Sequence, residues 1–99
     1  MFEIRFAAGV VRDLNALRAA ERRTIMDRIQ RRLRHEPTRP TKHVKQLRKL
    51  VPPFEHVQPI WQLRVGDHRV FYDVDAAERV VFVRAVRQKP PHAITEEIL

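Results

Sequence analysis

The 99-residue chain reads as an α+β domain with two N-terminal helices on one face of a small, mostly antiparallel twisted sheet, in the order β-α-α-β-β-β. Three observations predict it. Apolar and polar residues alternate at residues 2–6 and again at 61–74, the period of half-buried strands. Between them, apolar residues recur at helical spacing. After them, Val80 to Arg87 is apolar on both faces for most of its length, as an interior strand is.

The elements follow in order. Phe2, Ile4 and Phe6 alternate with Glu3 and Arg5, and Gly9 breaks the run. Val10, Val11, Leu14 and Leu17 then predict a helix. Ile25, Met26, Ile29 and Leu33 predict a second, with Arg22, Arg23, Arg28, Arg31, Arg32 and Arg34 on its remaining surface. No stop signal separates the two, so a bend near Ala19-Ala20-Glu21-Arg22 rests on the better packing of a helical hairpin. Pro37 and Pro40 end the second helix. Residues 36–60 read as irregular. Within them Thr41 to Leu50 is basic and is expected to form a short helical turn, and Pro52-Pro53 and Pro59 bracket a loop holding Phe54, Glu55 and His56. A loop of that length in so small a domain is more often functional than idle.

The hairpin is the most specific local signal. Gly66-Asp67 is a two-residue turn between Trp61-Gln62-Leu63-Arg64-Val65 and His68-Arg69-Val70-Phe71-Tyr72-Asp73-Val74. With that loop, Val65 pairs with His68 and Arg64 with Arg69. Trp61, Leu63, Val65, Val70, Tyr72 and Val74 then share an apolar face under the helices. Gln62, Arg64, Arg69, Phe71 and Asp73 share the other, expected to stay open and concave as the sheet twists. Like charges directly opposite destabilise a sheet. A chain that tolerates them has a use for an anion, and phosphate fits the guanidinium fork. The plainer alternative is two solvated arginines, or one paired with Asp73 on the same face.

Composition narrows the partners. Residues 1–99 read as one domain, globular at 43% apolar content. Twenty basic residues, sixteen of them arginine, stand against twelve acidic ones, for a net charge of +8 and a pI near 11.2. Such a domain meets nucleic acid, an anionic surface or an acidic protein. There is no cysteine, hence no disulfide framework and no thiolate metal site. His35, His43 and His56 have no ligand spacing, so neither metal nor other cofactor is expected. The N-terminus lacks the apolar block of a signal peptide and no run reaches membrane-spanning length, so a cytoplasmic protein without membrane contact is expected.

Leu63-Arg64-Val65-Gly66-Asp67-His68-Arg69-Val70-Phe71-Tyr72-Asp73-Val74, with Asp13-Leu14-Asn15-Ala16-Leu17 and Lys45-Gln46-Leu47, resembles the RelE/ParE superfamily of type II toxin–antitoxin toxins. The resemblance covers nearly the whole chain. It implies a RelE-like fold with the first strand parallel to the last. It also implies a cognate antitoxin that wraps the toxin, and a toxin–antitoxin complex that binds its own operator DNA through the antitoxin. One branch of the superfamily cleaves mRNA in the ribosomal A site and the other poisons DNA gyrase.

Carried onto this chain, the nuclease branch implies Arg64 and Arg69 at the scissile phosphate, Lys89 beside them and His92 as a proton-transfer residue. Gln62 stands where a lysine is common, and the tail has no tyrosine. Gln62, Phe71, Lys42, Lys45, Arg48 and Lys49 are the expected RNA-binding residues. An exposed Phe71 would stack a base, unless antitoxin or tail covers it. Asp73 and Glu55 are lesser candidates for a base, and His68 is expected to point toward the helices. The reading is a ribosome-dependent, metal-independent mRNA endoribonuclease. The alternatives are a non-catalytic gyrase inhibitor and a degenerate toxin that only binds its antitoxin.

Overall fold

In the computed structural model, which describes residues 1–99, the elements run β1 (Glu3–Phe6), α1 (Ala8–Asn15), α2 (Ala19–Leu33), β2 (Val44–Leu47), β3 (Ile60–Val65), β4 (His68–Asp75), β5 (Val80–Gln88) and α3 (Thr95–Ile98). The sheet order is β1-β5-β4-β3-β2, with β1 parallel to β5 and every other pair antiparallel. The expected α+β architecture is therefore present, with a strand and a single helical turn added to it.

The added strand corrects one expectation. Thr41 to Leu50 does not form a helical turn; Val44–Leu47 pairs with β3. Its three-residue apolar spacing looks helical because both faces of the strand are covered. Val44 enters the core beneath the helices and Leu47 enters a second cluster on the opposite face. The helix break also falls earlier than expected, at residues 16–18. No side chain caps either long helix; Ala7, ahead of α1, instead donates its N–H to the Val83 carbonyl at 2.9 Å and ties the helix to β5.

The main core lies between the helices and the predicted apolar face. Val10 and Leu14 of α1 and Ile25, Ile29 and Leu33 of α2 pack on Trp61, Leu63, Val65, Val70, Tyr72, Val81 and Val83. The buried Tyr72 hydroxyl donates to the Pro37 carbonyl at 2.5 Å, which anchors the chain just beyond α2 to the centre of the sheet. Burial pushes the Tyr72 pKa up from its ordinary value of 10.0. No helix is long and apolar enough to cross a membrane.

The opposite face is not open along its whole length, contrary to expectation. Leu47, Ile60, Phe71 and Ala85 form a second cluster, covered by Leu50 and Phe54 of the proline-bracketed loop and by Ile98 and Leu99 of the tail. Phe71 is fully buried there and cannot be an exposed stacking platform. A bulge falls beside it: Phe71 pairs with Ala85 and Tyr72 with Val83, leaving Arg84 unpaired in the ladder. Arg84 grips Asp73 through two hydrogen bonds of 2.7 and 3.2 Å, and Asp73 also accepts the Val57 N–H at 3.0 Å. That buried, occupied carboxylate is neither a partner for Arg64 or Arg69 nor free to serve as a base.

Candidate functional site

The uncovered half of this face lies at the hairpin end. Gly66 holds a φ of 60°, which the first position of this turn requires and which an L side chain would resist. The predicted register follows: Val65 opposite His68, Arg64 opposite Arg69. The row continues on both sides. Arg69 pairs with Arg87 of β5, and the Arg64 N–H donates to the His43 carbonyl at 2.7 Å. Three strands and the residue just ahead of β2 thus bring His43, Arg64, Arg69 and Arg87 into one line across the sheet.

Only one of the three arginines is neutralised. Arg87 Nη1 lies 2.8 Å from the Asp13 carboxylate, which α1 carries to that edge. Arg64 is exposed and Arg69 is 8% exposed, and neither forms an ion pair. Arg69 Nη1 donates to the Gly66 and His68 carbonyls, each at 2.9 Å, so the turn itself fixes the guanidinium. Burial, and then repulsion from Arg64, hold the Arg69 pKa below its ordinary value, with Asp67 opposing. An anion between the two would relieve that repulsion.

The remaining cations come from the flanking segments. The Lys89 N–H donates to the Asp67 carbonyl at 2.6 Å, which folds the chain after β5 back against the turn. Lys42, His43, Lys45, Gln62, Arg64, Arg69, Lys89 and Thr95 wall a cleft of about 170 Å³. An adjoining, more open hollow is bounded by Arg64, Arg69, Lys89 and His92. The two arginines and Lys89 therefore stand between His43 on one side and His92 on the other. His92 takes a φ of 68°, in the left-handed region that a residue without glycine's freedom seldom adopts.

Among the residues expected to bind RNA, Lys42 and Lys45 line this cleft. Gln62 does too, though it is 5% exposed and its Oε1 accepts from the Thr95 hydroxyl at 3.4 Å. Arg48 opens onto a separate hollow beyond Lys45, and Lys49 is exposed away from the cleft. Phe71 lies buried in the second cluster. Glu55 is exposed on the proline-bracketed loop and lines neither hollow. His68 points toward the helices as expected, with Nε2 3.8 Å from the Glu21 carboxylate.

His43 was not among the residues expected here. It becomes visible only once β2 is a strand, because alternation from Val44 then sends His43 and Lys45 to the arginine face. Thr41 fixes it: its Oγ1 accepts the N–H groups of His43 and Val44, both at 3.1 Å. The His43 ring is half-buried, makes no hydrogen bond and has Nδ1 fully enclosed. Burial, and then the charges of Lys42, Arg32, Arg28 and Arg64, hold its pKa below the ordinary 6.5.

Comparison with known proteins places the fold and the family. Three solved structures superpose over most of the chain. The archaeal RelE–RelB complex from Pyrococcus horikoshii OT3 matches with a TM-score of 0.70 and 22% identity, covering 91% of this chain and 97% of the other. The RelBE2 toxin–antitoxin complex from Mycobacterium tuberculosis matches at 0.66 and 21%, covering 89% and 98%. The isolated E. coli RelE toxin matches at 0.60 and 16%, covering 98% and 94%. No curated protein matches the sequence. The family model for the ParE toxin of the type II toxin–antitoxin system parDE matches residues 4–89. With nearly every residue from β1 to the end of β5 inside that match, the chain belongs to the ParE toxin family of the RelE/ParE superfamily.

Proposed function

We propose that this toxin is a ribosome-dependent, metal-independent mRNA endoribonuclease, and that Arg64, Arg69 and Lys89 hold the scissile phosphate. The observation that carries this reading is the pair of guanidinium groups set opposite each other without a carboxylate partner, in a cleft that two further segments line with cations, Lys42 and Lys45 from one and Lys89 from the other. Donors fixed in advance around developing negative charge supply a large share of catalysis in phosphate and acyl chemistry. Arg69 is such a donor, because the hairpin turn holds it before any ligand arrives. Lys42 and Lys45 extend the positive surface along the RNA backbone, and His92, on the far side of the arginines, protonates the leaving oxygen.

An antitoxin is the expected partner: two of the similar structures are complexes of a toxin with its antitoxin. A net charge of +8 favours an acidic antitoxin segment. The toxin–antitoxin complex binds operator DNA through the antitoxin, and the toxin acts in the cytoplasm. The family-model match favours a second reading, a gyrase inhibitor without nuclease chemistry.

One paired assay separates the two. Purified toxin is added to translating ribosomes carrying mRNA, and separately to a gyrase supercoiling reaction. Cut transcripts with normal supercoiling support the nuclease; intact transcripts with blocked supercoiling support the gyrase inhibitor. Growth unaffected by induced expression without antitoxin, with both reactions normal, leaves a degenerate toxin.

A further inference from the structure

We propose that His43 is the general base of this toxin, taking the proton from the attacking 2′-hydroxyl of the RNA; the assignment rests on the nuclease reading above. Cleavage by internal attack forms a bond from the 2′-oxygen to phosphorus and breaks the bond from phosphorus to the 5′-oxygen. The 2′-hydroxyl proton passes to the imidazole, and the departing 5′-oxygen takes a proton from the acid side of the cleft or from water. The products are a 2′,3′-cyclic phosphate and a 5′-hydroxyl, and no oxidant, reductant or metal enters the balance.

The geometry carries the assignment. A base must be able to reach the nucleophile while the phosphate is held, and His43 shares one small cleft with Arg64, Arg69 and Lys89. His43 and Arg64 are joined through the backbone, so the two residues stand opposite each other in a fixed register. Thr41 pins the residue from the other side. No carboxylate near the ring draws a proton onto it, and no hydrogen bond occupies it.

The charged residues that line the cleft with His43 are all cationic: Lys42 and Lys45 on the β2 segment, Arg64 on β3, Arg69 on β4 and Lys89 after β5. Burial, and then the charges of Lys42, Arg32, Arg28 and Arg64, lower the imidazole pKa and favour the unprotonated form a base needs. The carboxylates that might otherwise serve are engaged: Asp73 is clasped by Arg84, Asp13 by Arg87, and Asp67, in the adjoining hollow, accepts from the Gln88 amide at 3.0 Å. His92 lies across the arginines from His43, which leaves acid and base on opposite sides of the phosphate.

Single-turnover cleavage of mRNA on 70S ribosomes, followed from pH 5.5 to 8.5, tests this. Wild-type toxin should cut faster as pH rises and level off below pH 6.5. His43→Asn should lower the rate about 100-fold and flatten that limb, within the range for loss of a general base. His43→Ala should regain activity with added imidazole, in proportion to its unprotonated fraction, while its melting temperature reports whether the fold survives. His43→Asn cutting at the wild-type rate and with the wild-type pH profile overturns the assignment and leaves the nuclease reading standing. A folded His43→Ala that imidazole does not restore also overturns it. Failure of wild-type toxin to cut removes both.

Discussion

Asp13 of α1 holds Arg87 at 2.8 Å, while Arg69, the residue paired with Arg87 in the next strand, is left without a carboxylate. A helix thus decides which members of the arginine row are available to a ligand. The pair is about one-third exposed at each end, so it adds little stability of its own.

Asp13→Asn should therefore release Arg87 into the cationic surface. Binding of single-stranded RNA should tighten at low salt, and the slope of log K against log salt should steepen by about 0.7, one further phosphate neutralised. Stability should change by less than about 1 kcal/mol. Anisotropy titrations across a salt series check the first, and urea unfolding the second. An unchanged slope would mean that Arg87 never reaches the ligand.

Arg64 and Arg69 should separate function from fold. Arg64 makes no side-chain hydrogen bond or ion pair, so Arg64→Ala should abolish growth arrest and cut cleavage by about 10²–10³-fold, the cost of one preorganised donor. Its melting temperature should not move. Arg69→Ala should be equally inactive and also less stable by about 1–3 kcal/mol, because the Gly66 and His68 carbonyls lose their donor. Toxicity that persists in Arg64→Ala would move the active surface elsewhere.

Phe71 should behave as core. Phe71→Ala should cost about 3–5 kcal/mol in urea unfolding, as truncation of a fully buried aromatic does. Ile98→Ala, which trims a half-buried side chain over the same cluster, should cost about 1 kcal/mol. Were Phe71 a stacking platform, its loss would weaken RNA binding and leave unfolding unchanged.

Tyr72 predicts an alkaline limit. Its pKa is raised in the folded state, so above pH 10 the native protein holds a proton that the unfolded chain releases. The stability linked to this group is complete below pH 10 and declines as pH climbs toward the folded value. Tyr72→Phe should cost about 1 kcal/mol at pH 7, through the lost bond to Pro37. That deficit should narrow above pH 10. A deficit independent of pH up to 11 would remove the linkage.

The parts legible in the sequence were those where one period and one turn acted alone. The hairpin register followed from Gly66-Asp67 and alternation, and it placed Arg64 opposite Arg69. The helices followed from single apolar stripes. β2 was not legible because Val44 and Leu47 bury on opposite faces, a pattern indistinguishable by spacing from a helical turn. Missing β2 hid His43, whose place depends on that strand's register. For Phe71 a stacking platform and a tail-covered residue both stayed open for a related reason: alternation gives the face of a residue but not what lies over it. The cover comes from Phe54, Ile98 and Leu99, through contacts distant in sequence. The face of Asp73 was legible but its partner was not, since the bulge at Arg84 has no local signature.

The parallel pairing of β1 with β5 has a consequence for how the toxin is born. Glu3 meets Val80, so the first strand made by a translating ribosome waits for nearly the last before it finds its neighbour. Contacts that far apart slow folding. An interrupted nascent chain that stops short of β5 has neither a closed sheet nor the Arg87 and Lys89 side of the cleft, so the cationic site exists only once almost the whole chain has been made.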